Sequence, residues 1–229
     1  GLLGLEAAYG LKQQGMNVTV LHLMDRIMDR QLDSKASQML KTAIEQKGIT
    51  ILTAANTECL FGEEGHVTQV KLKDGTVLDA DLVVFAVGIR PNMALAQSAG
   101  LRCNRGVLVN DTMQTFDPSI YAVGECIEHR GQTFGLVEPL WGQAFICASH
   151  LAEHGSLTFK APTVPTQLKV SGCDVFSTGD FEPKEDFEDI VLNDEKRQIY
   201  KRIIIQKDRV IGAVLFGDTE DGAWYAELI

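Results

Sequence analysis

A helix, a glycine and then a short β-branched strand open this chain, and that order restricts the fold more than any other feature. GLLGLEAAYGLKQQG places Leu2, Leu5, Ala8 and Tyr9 or Lys12 at helical spacing, Gly15 stands where a helix terminator belongs, and NVTVLHL follows as a strand. Helix, glycine and strand make half of a βαβ unit, so the strand that begins the unit is expected before residue 1. The chain is therefore read as part of a longer α/β protein.

The glycines of the opening helix carry a second reading. Gly1 and Gly4 fit the last two glycines of a G-x-G-x-x-G dinucleotide fingerprint, the first of which would lie two positions earlier. Gly1 then lets the backbone approach a pyrophosphate, and Gly4 lets the helix pack closely on the sheet. The same pair also suits a plain packing helix. At the end of NVTVLHL an NAD site carries an acid for the adenosine ribose, and here His22 occupies that place. Arg26 and Arg30 follow; they either face a 2′-phosphate, which favours NADPH, or pair with Asp25 or Asp29. The choice between NADH and NADPH stays open, with a lean towards NADH.

Further along, Asp33 is expected to cap a helix over residues 34–47 whose apolar stripe is Ala36, Leu40, Ala43 and Ile44. Gly48 ends it and ITILTA supplies the next strand. VTQVKLKDGTVLDA alternates around Asp74–Gly75 as a hairpin, and DLVVFAVG reads as a buried parallel strand. Together these make a nucleotide-binding α/β domain with a β-meander crossover.

Composition removes several classes. The formal charge of −10 disfavours nucleic acid or an anionic membrane as a partner. Five widely spaced cysteines without a C-x-x-C pair exclude a compact metal or iron-sulfur motif and suit a reducing, cytoplasmic setting. Neither a long apolar run nor a basic-then-apolar leader occurs, so no membrane span or signal peptide is expected. His150 and His154 have a spacing that suits a metal but lack a third ligand, and read as a surface pair near a helix end. No metal site is expected.

MQTFDPSIYAVGECIEHRG contains a Pro turn, the short apolar strand IYAVG and then an acid. It resembles the second flavin-binding motif of the two-dinucleotide-domain disulfide-reductase superfamily, where a Gly-Asp pair contacts the ribityl or diphosphate part of FAD. Gly124 and Glu125 align with that pair, Glu adding one methylene. GLLGLEAA, VVFAVGIRPN and EPLWGQAFICASHLAE match the same superfamily. RQLD, GIRPNMALAQSAGL, IYAVGEC and LKVSGCDVFSTGDF together look like the large subunit of assimilatory NAD(P)H nitrite reductase; rubredoxin and ferredoxin reductases and NADH oxidases share most of these motifs.

The resemblance implies a two-dinucleotide-binding flavoprotein fold, in which residues 1–88 are an NAD(P)-binding domain lacking its first strand. Residues 89–157 are then the second half of the FAD domain, whose first half would precede residue 1, and 158–229 a small α+β interface domain. It implies FAD and NAD(P)H as cofactors, held by Gly1, Gly4, Glu6, His22, Arg26, Gly88, Gly124, Glu125, Glu138, Pro139 and Leu140, with no side chain in this chain acting as acid or base. Hydride would pass from the nicotinamide to the flavin, and electrons onward to iron-sulfur and sirohaem centres outside these residues, reducing nitrite to ammonium. A homodimer or a small electron-transfer subunit is the implied partner. The alternatives are delivery to a small carrier or to oxygen, and an incomplete, inactive structural or dimerisation fragment.

Read from the residues, Pro91 restricts Arg90 to an extended conformation in a loop after a buried strand; Arg90 serves either the cofactor crossing or an ordinary ion pair. Glu138-Pro139 open a helix with Pro at its first position and apolar positions Leu140, Ala144, Ile146, Cys147 and Leu151. Trp141 is read as filling a domain boundary and Cys126 as a small packing residue. After APTVP come four strand-like pieces with turns at Asn193–Asp194 and Lys207–Asp208, and DTEDGAWYAELI starts a helix.

Overall fold

The computed structural model describes residues 1–153, 155, 157–162, 165–182 and 186–229. They fall into two compact units, Gly1–Val87 with Pro165–Ile229, and Gly88–Val164. The first begins with α1 (Leu2–Gln13), which buries Leu5 and Ala8, and Gly15 takes the positive φ of 85° that a helix terminator needs. β1 (Val18–Leu21) follows, then α2 (Ser34–Gln46), whose N-cap Asp33 accepts the Ala36 N–H at 2.9 Å. The buried face of α2 holds Ala36, Ser37, Met39, Leu40 and Ile44; Ala43 is only half-buried at its rim. β2 (Ile49–Leu52) pairs parallel with β1 in the register Val18↔Ile49 to Leu21↔Leu52.

The crossover is an antiparallel sheet of β3 (Thr57–Glu63), β4 (His66–Leu72) and β5 (Val77–Asp79) in that order. Its second hairpin turns at Asp74–Gly75, where the Asp74 carboxylate accepts the Thr76 N–H at 2.9 Å and Gly75 has φ 92°. The first hairpin, β3–β4, has a weaker sequence signal; its turn residues Glu64 and Gly65 both take positive φ, 51° and 83°. The run DLVVFAVG is not the buried strand its composition predicts. No strand includes it, and Leu82, Val84, Phe85 and Val87 are 57%, 52%, 70% and 89% exposed. A parallel strand exists through its ladder, and among the described residues the β1–β2 sheet has only those two strands, so residues 82–87 pair with neither of its edges.

The second unit contains α3 (Ala94–Ser98), β6 (Val107–Val109), β7 (Ile127–His129), β8 (Gln132–Thr133) and α4 (Val137–Leu151). The sheet order is β6–β7–β8, with β6 and β7 parallel. Gly106 lets this pairing close, because a Cβ there would stand 2.4 Å from the Ile127 carbonyl carbon. Met113, Ile127, Ile146, Cys147 and Phe159 form the core, with Cys126 packed at its edge. The Pro turn is present, Asp117 accepting the Ser119 N–H at 2.9 Å. IYAVG after it, expected as a strand, makes only one bridge, Gln114↔Tyr121.

Two features of α4 also differ from expectation. The helix starts at Val137, so Pro139 is its third residue rather than its first; that position also lacks an intrahelical acceptor, so the missing N–H is tolerated. The buried stripe is Pro139, Gln143, Ile146 and Cys147, and Ala144 and Leu151 face outward. Asp111 ties this unit's loops together, accepting His129 Nε2 at 2.8 Å and the Arg130 guanidinium at 2.9 and 2.6 Å.

The remainder of the first unit is β9 (Thr166–Val170), β10 (Cys173–Gly179), β11 (Glu188–Asp194), β12 (Ile199–Gln206), β13 (Arg209–Phe216) and α5 (Gly222–Leu228). The strands form one antiparallel sheet in the order β11–β12–β13–β10–β9. Lys207 and Asp208 turn as expected, at φ 50° and 59°. Asn193–Asp194 do not: both close β11, and the turn comes after them, where the Asp194 carboxylate accepts the Lys196 and Arg197 N–H groups at 3.1 Å.

This sheet shares its core with the start of the chain. Val175, Tyr200, Val214 and Phe216 pack in one cluster with Leu5, Ile27, Met28, Leu32, Leu40 and Ile44. Polar ties reinforce the junction. Asp33 accepts the Tyr200 hydroxyl at 2.7 Å and an Arg202 N–H at 3.3 Å, while Arg202 Nε donates to Asp189 at 2.8 Å. Burial first, and then the bond to Asp33, push the Tyr200 phenol above its ordinary range. Asp33→Ala removes a helix cap, leaves the buried Tyr200 hydroxyl without its acceptor and takes one acceptor from the half-buried Arg202 guanidinium. It is expected to cost about 2 to 4 kcal/mol in urea unfolding; a loss below about 1 kcal/mol, the value of an isolated cap, would show that the junction does not depend on it.

Acid stability gives a second measurement. Arg130 first, and His129 with it, hold the Asp111 carboxyl at about 2, below its ordinary 3.8. A lowered folded value means the contribution is complete above about 3.8 and is lost as pH falls through about 2. The melting-temperature gap between wild type and Asp111→Asn is therefore expected to narrow from about pH 5 to about pH 2; a constant gap would rule the linkage out.

Candidate functional site

At the start of α1 the N-cap Gly1 supplies no side-chain hydrogen bond and the first turn holds no acidic residue. A Cβ on Gly1 would meet nothing within 4 Å, whereas one on Gly4 would lie 3.3 Å from the Ala86 Cβ. Gly1 thus faces open space and Gly4 a close approach. Glu6 is directed elsewhere, its carboxylate accepting the Ser171 N–H at 2.5 Å.

His22 lies just past β1. Its backbone N–H reaches Leu52 O at 2.9 Å and its carbonyl accepts the Ala55 N–H at 2.9 Å, extending the parallel pairing beyond the strand. Its Nε2 sits 3.5 Å from Asp29 Oδ1 but lacks hydrogen-bond geometry there. Neither Asp25 nor Asp29 holds Arg26. The guanidinium donates to Ser34 Oγ at 3.0 Å and forms an ion pair with Glu182, a partner 156 residues away that local reading had no means to find. Arg30 is exposed.

In the other unit Gly88 has φ 89° with open space around its Cβ position, and Arg90 is exposed with no ion pair among the described residues. Gly124 has φ 101°, a conformation that suits glycine, and its N–H donates to Gln143 Oε1 at 2.8 Å. Glu125 beside it is exposed, and its carboxylate makes no hydrogen bond among the described residues. Glu138 is exposed in the first turn of α4, Pro139 is buried and Leu140 is half-buried. Trp141 is 73% exposed. A cavity of about 300 Å³ lies beside this helix start, lined in part by Arg105, Thr133, Leu136 and Pro139. His150 Nδ1 meets the Tyr121 hydroxyl at 2.8 Å; His154 lies outside the described residues.

Gln143 is the residue that the apolar pattern of α4 concealed. Placing the stripe on Leu140, Ala144 and Leu151 set Gln143 aside, although a glutamine one turn after Pro139 and one turn before Ile146 and Cys147 was the available signal. Among the described residues no group of three or more His, Cys, Asp or Glu side chains is placed to hold a metal, and no helix is long and apolar enough to cross a membrane.

A helix start with a close-packing glycine, and a Gly-Glu pair in a turn held from a helix, are arrangements that suit a dinucleotide-binding flavoprotein. Residues 1–143 match the pyridine nucleotide-disulphide oxidoreductase family and residues 165–229 match the rubredoxin NAD+ reductase C-terminal domain. The chain belongs to the pyridine nucleotide-disulphide oxidoreductase family, whose cofactors are FAD and NAD(P)H. It is 49% identical over 222 residues to the NAD(P)H nitrite reductase of Bacillus subtilis (strain 168), an alignment that takes in 97% of this chain and 28% of that protein. It is 44% identical over 221 residues to the assimilatory nitrate reductase electron transfer subunit of the same organism, with 96% and 28% covered. The chain thus spans little more than a quarter of the length of these relatives. Among solved structures, an FAD-dependent pyridine nucleotide-disulphide oxidoreductase from Desulfovibrio vulgaris superimposes with a TM-score of 0.81 at 27% identity, over 100% of this chain and 63% of that one.

Gly4→Val forces its side chain into the 3.3 Å approach to Ala86. It is expected to destabilise the protein by about 1 to 3 kcal/mol and to weaken NADH binding in the same variant; an unchanged NADH dissociation constant by titration would remove Gly4 from the site.

Proposed function

We propose that this chain is the nicotinamide-binding and second flavin-binding part of an NAD(P)H-dependent flavoprotein oxidoreductase of the nitrite reductase large-subunit type, acting in the cytoplasm. The observation that carries the reading is the tight Gly4–Ala86 approach in the first turn of α1, three residues after Gly1 in the glycine spacing of a dinucleotide fingerprint. That cradle fits a pyrophosphate, because a helix start offers both donors and the positive end of the dipole. Residues 1–88 are then the NAD(P)-binding domain, 89–157 the second FAD half and 158–229 the interface domain. Gly1, Gly4 and His22 would line the dinucleotide, with Glu6 and Arg26 supporting its surroundings through Ser171 and Glu182; Gly88 would serve cofactor binding from its own unit. Gly124, Glu125, Glu138, Pro139 and Leu140 would serve the flavin, Glu125 offering a carboxylate without a protein partner. FAD, when bound, supplies the conversion between two-electron and one-electron chemistry; the protein orients it and sets the field around it.

In the full-length protein, electrons taken from NAD(P)H pass through FAD to iron-sulfur and sirohaem centres and reduce nitrite to ammonium. Identity of 49% across nearly the whole chain supports that branch. Delivery to a small electron-carrier protein is the second reading, and the match of residues 165–229 to a rubredoxin reductase domain favours it. A homodimer or an electron-transfer subunit is the corresponding partner. Both coenzymes are used, NADH somewhat better, because Glu182 and Ser34 already engage the Arg26 guanidinium that a 2′-phosphate would need.

Anaerobic mixing of the full-length protein with NADH or NADPH is expected to bleach its flavin absorbance, NADH more efficiently, and nitrite is expected to restore it. The isolated 229-residue chain is expected to emerge colourless from desalting. Full-length protein without flavin, or with flavin that neither coenzyme reduces, would overturn the reading; restoration by an electron-carrier protein but not by nitrite would select the second one.

A further inference from the structure

The acid that holds an adenosine ribose ordinarily ends the strand after the fingerprint helix, and β1 is followed there by His22 instead. The imidazole Nε2 is enclosed and has no hydrogen-bond partner among the described residues, so it offers a ribose nothing. The loop that follows brings a carboxylate back to the same place. Asp29 Oδ1 lies 3.5 Å from His22 Nε2. Asp29 is also near the start of α1: burial pushes the Gly1 amino group down, and the Asp29 charge pushes it back up. A ligand can reach this carboxylate, because the side chain is 28% exposed and neither oxygen accepts a hydrogen bond among the described residues. Its position is fixed by the residues before it. Ile27 and Met28 are buried, Ile27 O accepts the Ser37 hydroxyl at 2.7 Å, and Met28 O accepts the Gln31 and Leu32 N–H groups at 2.9 Å. Met28 takes a positive φ of 53°, uncommon for a residue with a side chain, and its burial holds that turn, from which Asp29 emerges. The loop's cation is committed elsewhere, since Arg26 pairs with Glu182, donates to Ser34 and has its Nε enclosed.

We propose that Asp29 is the specificity-determining residue of the nucleotide end: in place of a strand-end acid it accepts the adenosine ribose hydroxyls of NAD(H), and it repels the 2′-phosphate of NADP(H). A carboxylate has acceptor sites for both hydroxyls of a diol and no donor for a phosphate. Like charges brought together at a partly buried site count against the phosphorylated coenzyme, so one side chain supplies both the attraction and the rejection. A carboxylate held by a buried turn loses little freedom when the ribose arrives. The inference rests on the nucleotide-binding reading above.

Calorimetric titration of the oxidised full-length protein with NAD+ and with NADP+ tests this without turnover, in wild type, Asp29→Asn and Asp25→Asn. Asp25 is exposed in the same loop, so its variant makes the same change of charge away from His22. The wild type is expected to bind NAD+ more tightly. In Asp29→Asn the ratio of the two dissociation constants is expected to move about tenfold towards NADP+, the range of one charge-assisted hydrogen bond, and in Asp25→Asn it is expected to stay at the wild-type value. Partial unfolding of a variant lowers both affinities alike and leaves the ratio unchanged. A ratio that does not move in Asp29→Asn overturns the inference. An equal movement in Asp25→Asn reports the overall charge of the loop and also overturns it. A wild type that prefers NADP+ overturns it and leaves the nucleotide-binding reading standing, whereas a wild type that binds neither coenzyme overturns both.

Discussion

Asp33 caps α2 with one carboxylate oxygen and receives Tyr200 and Arg202 on the other. Few single side chains here tie together so much. The cap fixes where α2 begins, which sets the path of the loop after β1, and Ile27, Met28 and Leu32 in that loop are almost wholly buried as a result. The loop in turn holds His22 at the end of the parallel pair and Arg26 against Ser34. Tyr200 and Arg202 come from the far end of the chain, so the surroundings of the proposed nucleotide site are built from two remote segments. A buried carboxylate is tolerated because a helix start, a phenol and a guanidinium all donate to it.

The Gly124 loop follows a related logic with a different residue. There a neutral amide, Gln143, reaches from the buried face of α4 to a glycine in a left-handed conformation, and the carboxylate beside that glycine is exposed to solvent.

Local chemistry made much of the architecture legible. Asp33 before an apolar stripe, Gly15 after a helix and Asp74–Gly75 between alternating runs each act within a few residues, and each appears where the sequence places it. The errors share a cause. DLVVFAVG and IYAVG have strand composition, but a strand is a relation between two segments, and among the described residues neither forms a ladder with another. Asn193–Asp194 have turn chemistry, but Asp194 uses its carboxylate to cap the turn that follows from within β11. On α4 a choice among near-equivalent apolar positions turned the face, and Gln143 went unseen.

By itself the sequence determined the α/β class, the Asp33 cap, the Gly15 terminator and the Asp74–Gly75 hairpin, all of which depend on backbone preferences and short-range hydrogen bonds. Only the tertiary structure decided the partners of the charges. Arg26 stands beside two aspartates in sequence and bonds to Glu182, and Glu6 opens a helix turn yet reaches Ser171. An ion pair depends on distance in space, and the core shared by the two ends of the chain brings residues more than 150 positions apart within bonding range.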